Sequence, residues 1–124
     1  MLEEFVDEEN QLTEHIFTGV VLGKDVIEAV KALYASGPTL NHLWDLTEAD
    51  MSAVKSEDLQ QIALIAKQYS SSDRAGRTAI VSNSDLGYGL GRMYSSFADL
   101  SGHSAEVRSF RSRKEAEEWI AEKK

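Results

Sequence analysis

From residue 24 onward, the chain alternates segments of helical periodicity with short apolar runs of strand length. In the first segment, apolar residues fall at positions i, i+1, i+4, i+7 and i+8, the spacing of one helix face. Strands separated by single helices need crossover connections, which are nearly always right-handed and make neighbouring strands parallel. The alternation predicts helices at 24–35, 57–69, about 86–99 and from Ser112 onward, with strands at 40–46, 77–82 and 105–110.

Two further strands are predicted before the first helix, at 2–7 and 11–21, joined around Glu8-Glu9-Asn10. Acidic residues near the end of the first strand should keep an exposed edge from pairing with another chain. The predicted fold class is α/β, in the order β-β-α-β-α-β-α-β-α, with a mixed sheet of about five strands and about four helices. The sole candidate linker, residues 70–73, is too short to separate domains, so residues 1–124 are expected to form a single domain.

The chain is acidic, with a formal net charge of −8 and a pI near 4.8. Residues 1–14 hold six acidic and no basic side chains, whereas the basic side chains of 108–124 are expected on a solvated helix face. This balance disfavours a nucleic-acid partner, because binding phosphates needs a basic face. There is no Cys, no apolar run of transmembrane length and no signal-peptide pattern, so we expect a cytoplasmic protein without an integral membrane span.

Two serines are predicted to cap helices. Ser56 precedes Glu57 and Asp58 and is expected to be the N-cap of the second helix. Ser112 and Glu115 form the S-x-x-E pattern of a capping box at the start of the last helix. That helix is predicted to bury Ala116, Trp119 and Ile120.

A ligand pocket is predicted at the carboxyl edge of the sheet, where open α/β sheets bind their ligands. Asp45 is expected at the carboxyl end of a central strand, and the turn that contains Ser84 and Asp85 follows the neighbouring strand. In the alternative interpretation, Asp45 caps a loop, and Tyr88 and Tyr94 belong to helix cores. The candidate ligand-binding residues are Asp45, Ser84, Asp85, Tyr88, Arg92 and Tyr94.

A glycine-rich stretch, 85–92, offers a helix start and an arginine, features that phosphate-binding loops share. Its G-x-G-x-G pattern differs from the dinucleotide-binding pattern G-x-G-x-x-G, and no Lys-Ser/Thr pair follows. The alternative is that Gly91 allows close packing of the helix. This alternative is preferred over a nucleotide or phosphate site.

The three histidines, His15, His42 and His103, are predicted to lie on different elements, without the spacing of a metal site or a catalytic motif. Each is expected to be a structural residue with a satisfied hydrogen bond. The sequence shows no pairing of a nucleophile with a base. We therefore expect no catalytic activity, no metal and no cofactor.

Three stretches carry a family resemblance through their order and spacing: Trp44-Asp45-Leu46, Gly91-Arg92-Met93-Tyr94, and 107–111 followed by 114–120. Together with the order of elements, they make residues 10–121 resemble the STAS-like family. More narrowly, the chain looks like the bacterial SpoIIAA-like branch, which is related to the CRAL-TRIO lipid-carrier fold. The resemblance implies a small, non-catalytic module.

In the better-known relatives, which act as anti-sigma-factor antagonists, a partner kinase phosphorylates a serine at a helix N-terminus in a D-S-S-G-like motif. The corresponding region here is 50–53, followed by Ser56, so the resemblance makes Ser52 and Ser56 the candidate acceptors. Only one Ser follows the Asp, and Ala53 replaces the Gly of the motif. Acidic neighbours would also repel a phosphate, so a capping role for Ser56 is the preferred interpretation.

Two functions are consistent with these expectations. The first is a regulatory or protein-interaction module, which the lack of a catalytic constellation favours. The second is a carrier of a small apolar or phosphate-bearing ligand, such as a lipid or a nucleotide, which the edge pocket and the carrier-like branch favour. An exposed strand edge or apolar helix face also allows a homodimer.

Overall fold

A computed structural model describes residues 1–36, 39–69, 76–101 and 106–122 of the chain. The predicted linker 70–73 and His103 lie outside the described residues. The elements follow the predicted order. They are β1 (Leu2–Asp7), β2 (Leu12–Val20), α1 (Gly23–Ala35), β3 (Asn41–Asp50), α2 (Ser56–Tyr69), β4 (Arg77–Val81), α3 (Asp85–Ser101), β5 (Glu106–Phe110) and α4 (Arg113–Ala121).

The strands form one five-stranded sheet in the spatial order β1-β2-β3-β4-β5. The hairpin makes β1 antiparallel to β2, and the three helical crossovers make β2 to β5 parallel to one another. The predicted α/β class, with a mixed sheet of five strands and four helices, is confirmed. β1 and β5 are the two edge strands.

The predicted end of β3 was wrong. The strand continues past Leu46 to Asp50, because β2 keeps pairing with it as far as Val20 and Asp50. The pairing of β3 with β4 does stop near the predicted end, at Asp45 and Val81. Asp45 therefore lies at the end of one ladder but inside the strand, next to a shift in the register between β2 and β3.

Helices cover the two faces of the sheet unequally. On one face, α1, α2 and α3 pack side by side over a core that includes Phe17, Leu46 and Ile80. On the opposite face, α4 packs against β3, β4 and β5 through a smaller core. Its buried residues include the predicted Ala116, Trp119 and Ile120.

One of the two predicted caps is confirmed. Ser112 caps α4, since its hydroxyl accepts a hydrogen bond from the backbone N–H of Glu115 at 3.2 Å. The prediction for Ser56 was wrong, because α2 begins at Ser56 itself. The carboxylate of Asp58 accepts a hydrogen bond from the backbone N–H of Lys55 at 2.9 Å. This bond stabilises a helix that starts one residue before the predicted start at 57.

Candidate functional site

Asp45 faces α4, and its carboxylate is engaged on both oxygens. Oδ1 accepts hydrogen bonds from the backbone N–H and the hydroxyl of Thr47, at 3.0 and 2.7 Å. Oδ2 accepts from Nη1 of Arg113 at 3.1 Å, and the other guanidinium nitrogens of Arg113 contact Glu14 and Glu117. The side chain of Asp45 is only 11% exposed, so these contacts hold it within the protein and join α4 to the sheet.

Three of the predicted pocket residues come together at the start of α3. Ser84 caps the helix, because its hydroxyl accepts from the backbone N–H of Gly87 at 3.0 Å. Asp85 pairs with Nη1 of Arg111 at 2.9 Å, and the guanidinium of Arg111 lies 4.4 Å from the ring centre of Tyr88. The carboxylate of Asp85 is 95% exposed, so it lies at the surface of the protein.

The remaining two predicted residues lie elsewhere on α3. The side chain of Arg92 is exposed. Tyr94 packs against the core beneath α1, α2 and α3, on the face of the sheet opposite Asp45. Burial and the nearby Tyr34 raise the pKa of Tyr94 well above its ordinary value. The structure therefore does not bring the six predicted residues into one pocket.

The glycines of α3 are explained by packing at two of three positions. A Cβ at Gly91 would lie 2.5 Å from the hydroxyl oxygen of Ser109, and one at Gly87 would overlap the side chain of Ser82. At Gly89 a Cβ would meet open space. These contacts favour the interpretation that the glycines let α3 approach the sheet closely.

The two candidate acceptor serines differ in their surroundings. The hydroxyl of Ser52 donates to Oδ1 of Asp50 at 2.6 Å, and the backbone N–H of Ser52 donates to the same oxygen at 3.0 Å. These two bonds hold the pKa of Asp50 below its ordinary value. Ser56 is exposed in the first turn of α2, with its hydroxyl 3.5 Å from Oε1 of Glu57. Both hydroxyls therefore lie beside carboxylates.

A chain of hydrogen bonds centred on the buried His15, absent from the sequence predictions, links β1 to β2 and β3. Oε2 of Glu4 lies 2.5 Å from Nδ1 of His15, and Nε2 of His15 lies 3.1 Å from Nδ1 of His42. Nε2 of His42 in turn lies 3.1 Å from the carbonyl oxygen of Thr39. Trp44 stacks on His15 with 3.8 Å between ring centres. The expectation of structural, hydrogen-bonded histidines is confirmed for His15 and His42.

Burial decides which ring nitrogens of this hydrogen-bond chain carry a proton. His15 is fully buried, and burial lowers its pKa to about 4, so its ring is neutral at pH 7. A neutral His15 donates its single proton, on Nδ1, to the Glu4 carboxylate and accepts at Nε2 from His42.

The sequence contained one indication of this hydrogen-bond chain. Strand alternation places His15 on the same face of the predicted strand 11–21 as Phe17 and Val21, and a polar residue on an apolar face needs a partner. The partners themselves depend on register, since His15 lies opposite Glu4 in the hairpin and beside Trp44 in the parallel ladder. Register of this kind follows from tertiary pairing.

A cleft of about 400 Å³ lies between the β1–β2 hairpin and α1. Apolar side chains form most of its lining, and two carboxylates, those of Asp25 and Glu28, lie among them. None of the six predicted pocket residues contributes to it. The lining residues are Met1, Leu2, Phe17, Val20, Val21, Asp25, Glu28 and Ala29.

Within the described ranges, no group of three or more His, Asp or Glu side chains is placed to hold a metal ion. None of the helices in the same ranges combines the length and the apolar character that crossing a bilayer requires.

Comparison with protein-family models gave no match, and none of the curated proteins matched the chain. Two solved structures are similar in fold. One is a protein of the DUF3478 family with a SpoIIAA-like fold from Shewanella loihica PV-4, with a TM-score of 0.61 and 17% identity over 97% of this chain and 92% of that one. The other is the anti-sigma factor antagonist SpoIIAA in its unphosphorylated form, with a TM-score of 0.59 and 10% identity over 98% of each chain.

The chain has the SpoIIAA-like fold. At these identities the likeness extends to the architecture and not to individual side chains. On the SpoIIAA-like fold of this chain, the features absent from the sequence predictions lie on one side. The Glu4–His15–His42 chain and the 400 Å³ cleft both belong to the region of the hairpin, beside the predicted edge strand β1.

Proposed function

We propose that the chain is a non-enzymatic regulatory or protein-interaction module. The observation that carries this proposal is the match of nearly the whole chain to the fold of an anti-sigma factor antagonist. The polar groups most suited to catalysis also have structural contacts: His15 and His42 bond within the core, and Asp45 bonds Thr47 and Arg113.

In this proposal, the module acts without a serine switch at 50–56. Ser52 already donates to the Asp50 carboxylate, and Ser56 lies beside Glu57, so a phosphate dianion at either hydroxyl would meet a like charge. The intact mass of the protein isolated from its own cells tests this point. We expect no phosphate at either serine, and a phosphopeptide containing Ser52 or Ser56 would contradict the expectation.

Native mass spectrometry of the chain, gently purified from its own cells, tests the proposed function. We expect a second protein bound at fixed stoichiometry, and the complex should form again from the two purified components. A bare chain that turns over a substrate would overturn the proposal, most directly if turnover disappears in Asp45→Asn while the fold stays intact.

A second candidate function, carriage of a small ligand, is favoured by the cleft between the hairpin and α1. Its apolar lining fits an apolar ligand, and the carboxylates of Asp25 and Glu28 favour a cationic end over a phosphate. The same native spectra test this candidate, because a carried ligand adds mass that disappears on denaturation. Loss of that mass in Val20→Trp, which fills the cleft from an exposed position, would support it, and unchanged mass would count against it.

A further inference from the structure

The outer edge of β1 presents a row of backbone groups that the sheet does not use. The backbone N–H of Thr18 donates to the carbonyl of Met1 at 2.9 Å, and such bonded pairs alternate along an antiparallel ladder. Glu3 and Phe5 therefore point their backbone groups toward β2. The N–H and C=O groups of Leu2, Glu4 and Val6 point away from the sheet, and no described strand lies on that side.

The side chains of β1 alternate in a matching way. Leu2 and Glu4 lie opposite Phe17 and His15, on the face that carries α1. Glu3, Phe5 and Asp7 consequently lie on the other face, where α4 packs mainly against β3 to β5. Phe5 is 52% exposed. Beside the open edge, this face thus carries an acidic, an apolar and an acidic side chain in succession, and the exposed carboxylate of Asp7 also accepts hydrogen bonds from Asn10.

A second copy of this chain is a poor occupant of the edge. Pairing two β1 strands would bring Glu3, Glu4 and Asp7 of each copy into one ladder, and residues 1–14 contain no basic side chain to offset them. The opposite edge, β5, is partly covered, because the hydroxyl of Ser95 in α3 donates to the carbonyl of Val107 at 2.7 Å. Head-to-tail addition of β5 to β1 is therefore disfavoured as well.

We propose that the open edge of β1 binds an extended segment of a partner protein in which a basic, an apolar and a basic residue alternate. The partner strand would bond to the outward backbone groups of Leu2, Glu4 and Val6, and its side chains would lie across from Glu3, Phe5 and Asp7. The acidic edge repels copies of itself and attracts this partner. The proposal rests on the proposed function and specifies the surface and the partner chemistry.

Titration of the full chain with a short fluorescent peptide tests the proposal. The probe has the core Lys-Thr-Val-Thr-Lys, and a scrambled peptide, Lys-Lys-Val-Thr-Thr, has the same composition without the alternation. We expect the probe to bind, the scrambled peptide to bind about tenfold more weakly, and the amides of Leu2, Glu4 and Val6 to gain protection from hydrogen exchange. Equal binding of both peptides, or protection elsewhere on the protein, would overturn the proposal.

Two variants and a control locate the binding surface. Val6→Pro removes an outward N–H without breaking the β1–β2 ladder, and Glu3→Lys reverses one charge of the edge. Each should weaken probe binding about tenfold. Glu118→Lys changes the net charge by the same amount on the exposed face of α4 and should leave binding unchanged. Equal weakening by Glu118→Lys would show unspecific charge attraction and overturn the proposal.

The same variants separate this proposal from the proposed function. If the protein partner found by native mass spectrometry binds Val6→Pro and Glu3→Lys as tightly as wild type, the interaction function stands and the edge assignment is wrong. If the chain binds no protein at all, the proposed function itself fails. Unfolding curves of each variant establish that a loss of binding is not a loss of fold.

Discussion

The two halves of the sheet use their polar side chains differently. β3, β4 and β5 are covered on both faces, and four of the five residues of β4 are buried. β1 lies at an edge, and five of its six residues are exposed. In the covered half, Asp45 and Arg113 bond each other, whereas in β1 Glu3 and Phe5 face solvent.

This contrast separates residues that hold the fold from residues available to a partner. A buried carboxylate such as Asp45 needs partners within the protein, because an unpaired buried charge is strongly destabilising. An exposed edge has no such requirement, so its residues can serve binding or prevent self-association. Substitutions in the two halves should therefore differ in what they change: stability in the covered half, binding at the edge.

The largest expected loss of stability comes from the core beneath α4. Trp119 is buried against Phe110, and the guanidinium of Arg77 lies over its ring. Trp119→Ala leaves a cavity there and should lower the free energy of unfolding by about 3–5 kcal/mol. Urea unfolding measures this loss. A loss below about 1 kcal/mol would show that α4 contributes little to the folded state and would remove the contrast between the halves.

Acid should destabilise the protein through His15. Its pKa is about 4 in the folded state and 6.5 in the unfolded chain, so the unfolded state binds more protons between these values. Stability is therefore lost as the pH falls from about 6.5 to 4, by about 3 kcal/mol from this residue. The groups that face the ring are the Glu4 carboxylate, His42 and Trp44.

Urea unfolding of the wild type and of His15→Gln at several pH values isolates this contribution. The difference in the free energy of unfolding between the two proteins should shrink as the pH falls. The variant lacks the buried imidazole, whereas the other acid-sensitive groups are present in both proteins. A difference that grows on acidification would contradict the prediction. It would show that attraction to the Glu4 carboxylate outweighs the effect of burial.

A smaller loss is expected when the bond between α4 and the sheet is broken. Arg113→Met leaves the carboxylates of Asp45 and Glu14 without their cation and should lower the free energy of unfolding by about 2 kcal/mol, between the values for buried and exposed pairs. Arg111→Met is the matched control, since its partner Asp85 is 95% exposed. Equal losses in the two variants would show that burial of the carboxylate does not matter here.

The sequence was sufficient for the architecture because the periodicity of each element is a local property. Trp119 and Ile120 could be placed in the core from helical spacing, and Ser112 as a cap from its position before Glu115. The end of β3 depended on how far β2 pairs with it, which is a tertiary property.

The candidate site was harder to predict from the sequence, because it too depends on tertiary pairing. Asp45 was chosen by the rule about sheet edges and Tyr94 by its nearness in sequence to the next strand, but strand alternation and core packing put them on opposite faces. The contact between His15 and His42 joins residues 27 positions apart through a parallel register that no local pattern encodes. Near β1, the sequence did predict the acidic charge, because charges can be counted without knowing the fold.

The smallest effect on stability is expected at the open edge, from Phe5→Ser. Phe5 is 52% exposed, so the free energy of unfolding should fall by only about 1 kcal/mol, while binding of the Lys-Thr-Val-Thr-Lys probe weakens. A loss of about 3 kcal/mol or more would mean that the ring is buried in solution by something outside the single chain. Unfolding at several protein concentrations distinguishes the sources: a midpoint that rises with concentration in the wild type, but not in the variant, would identify a second copy as the cover. That result would overturn the argument from acid repulsion, because the edge would then bind itself despite its charge.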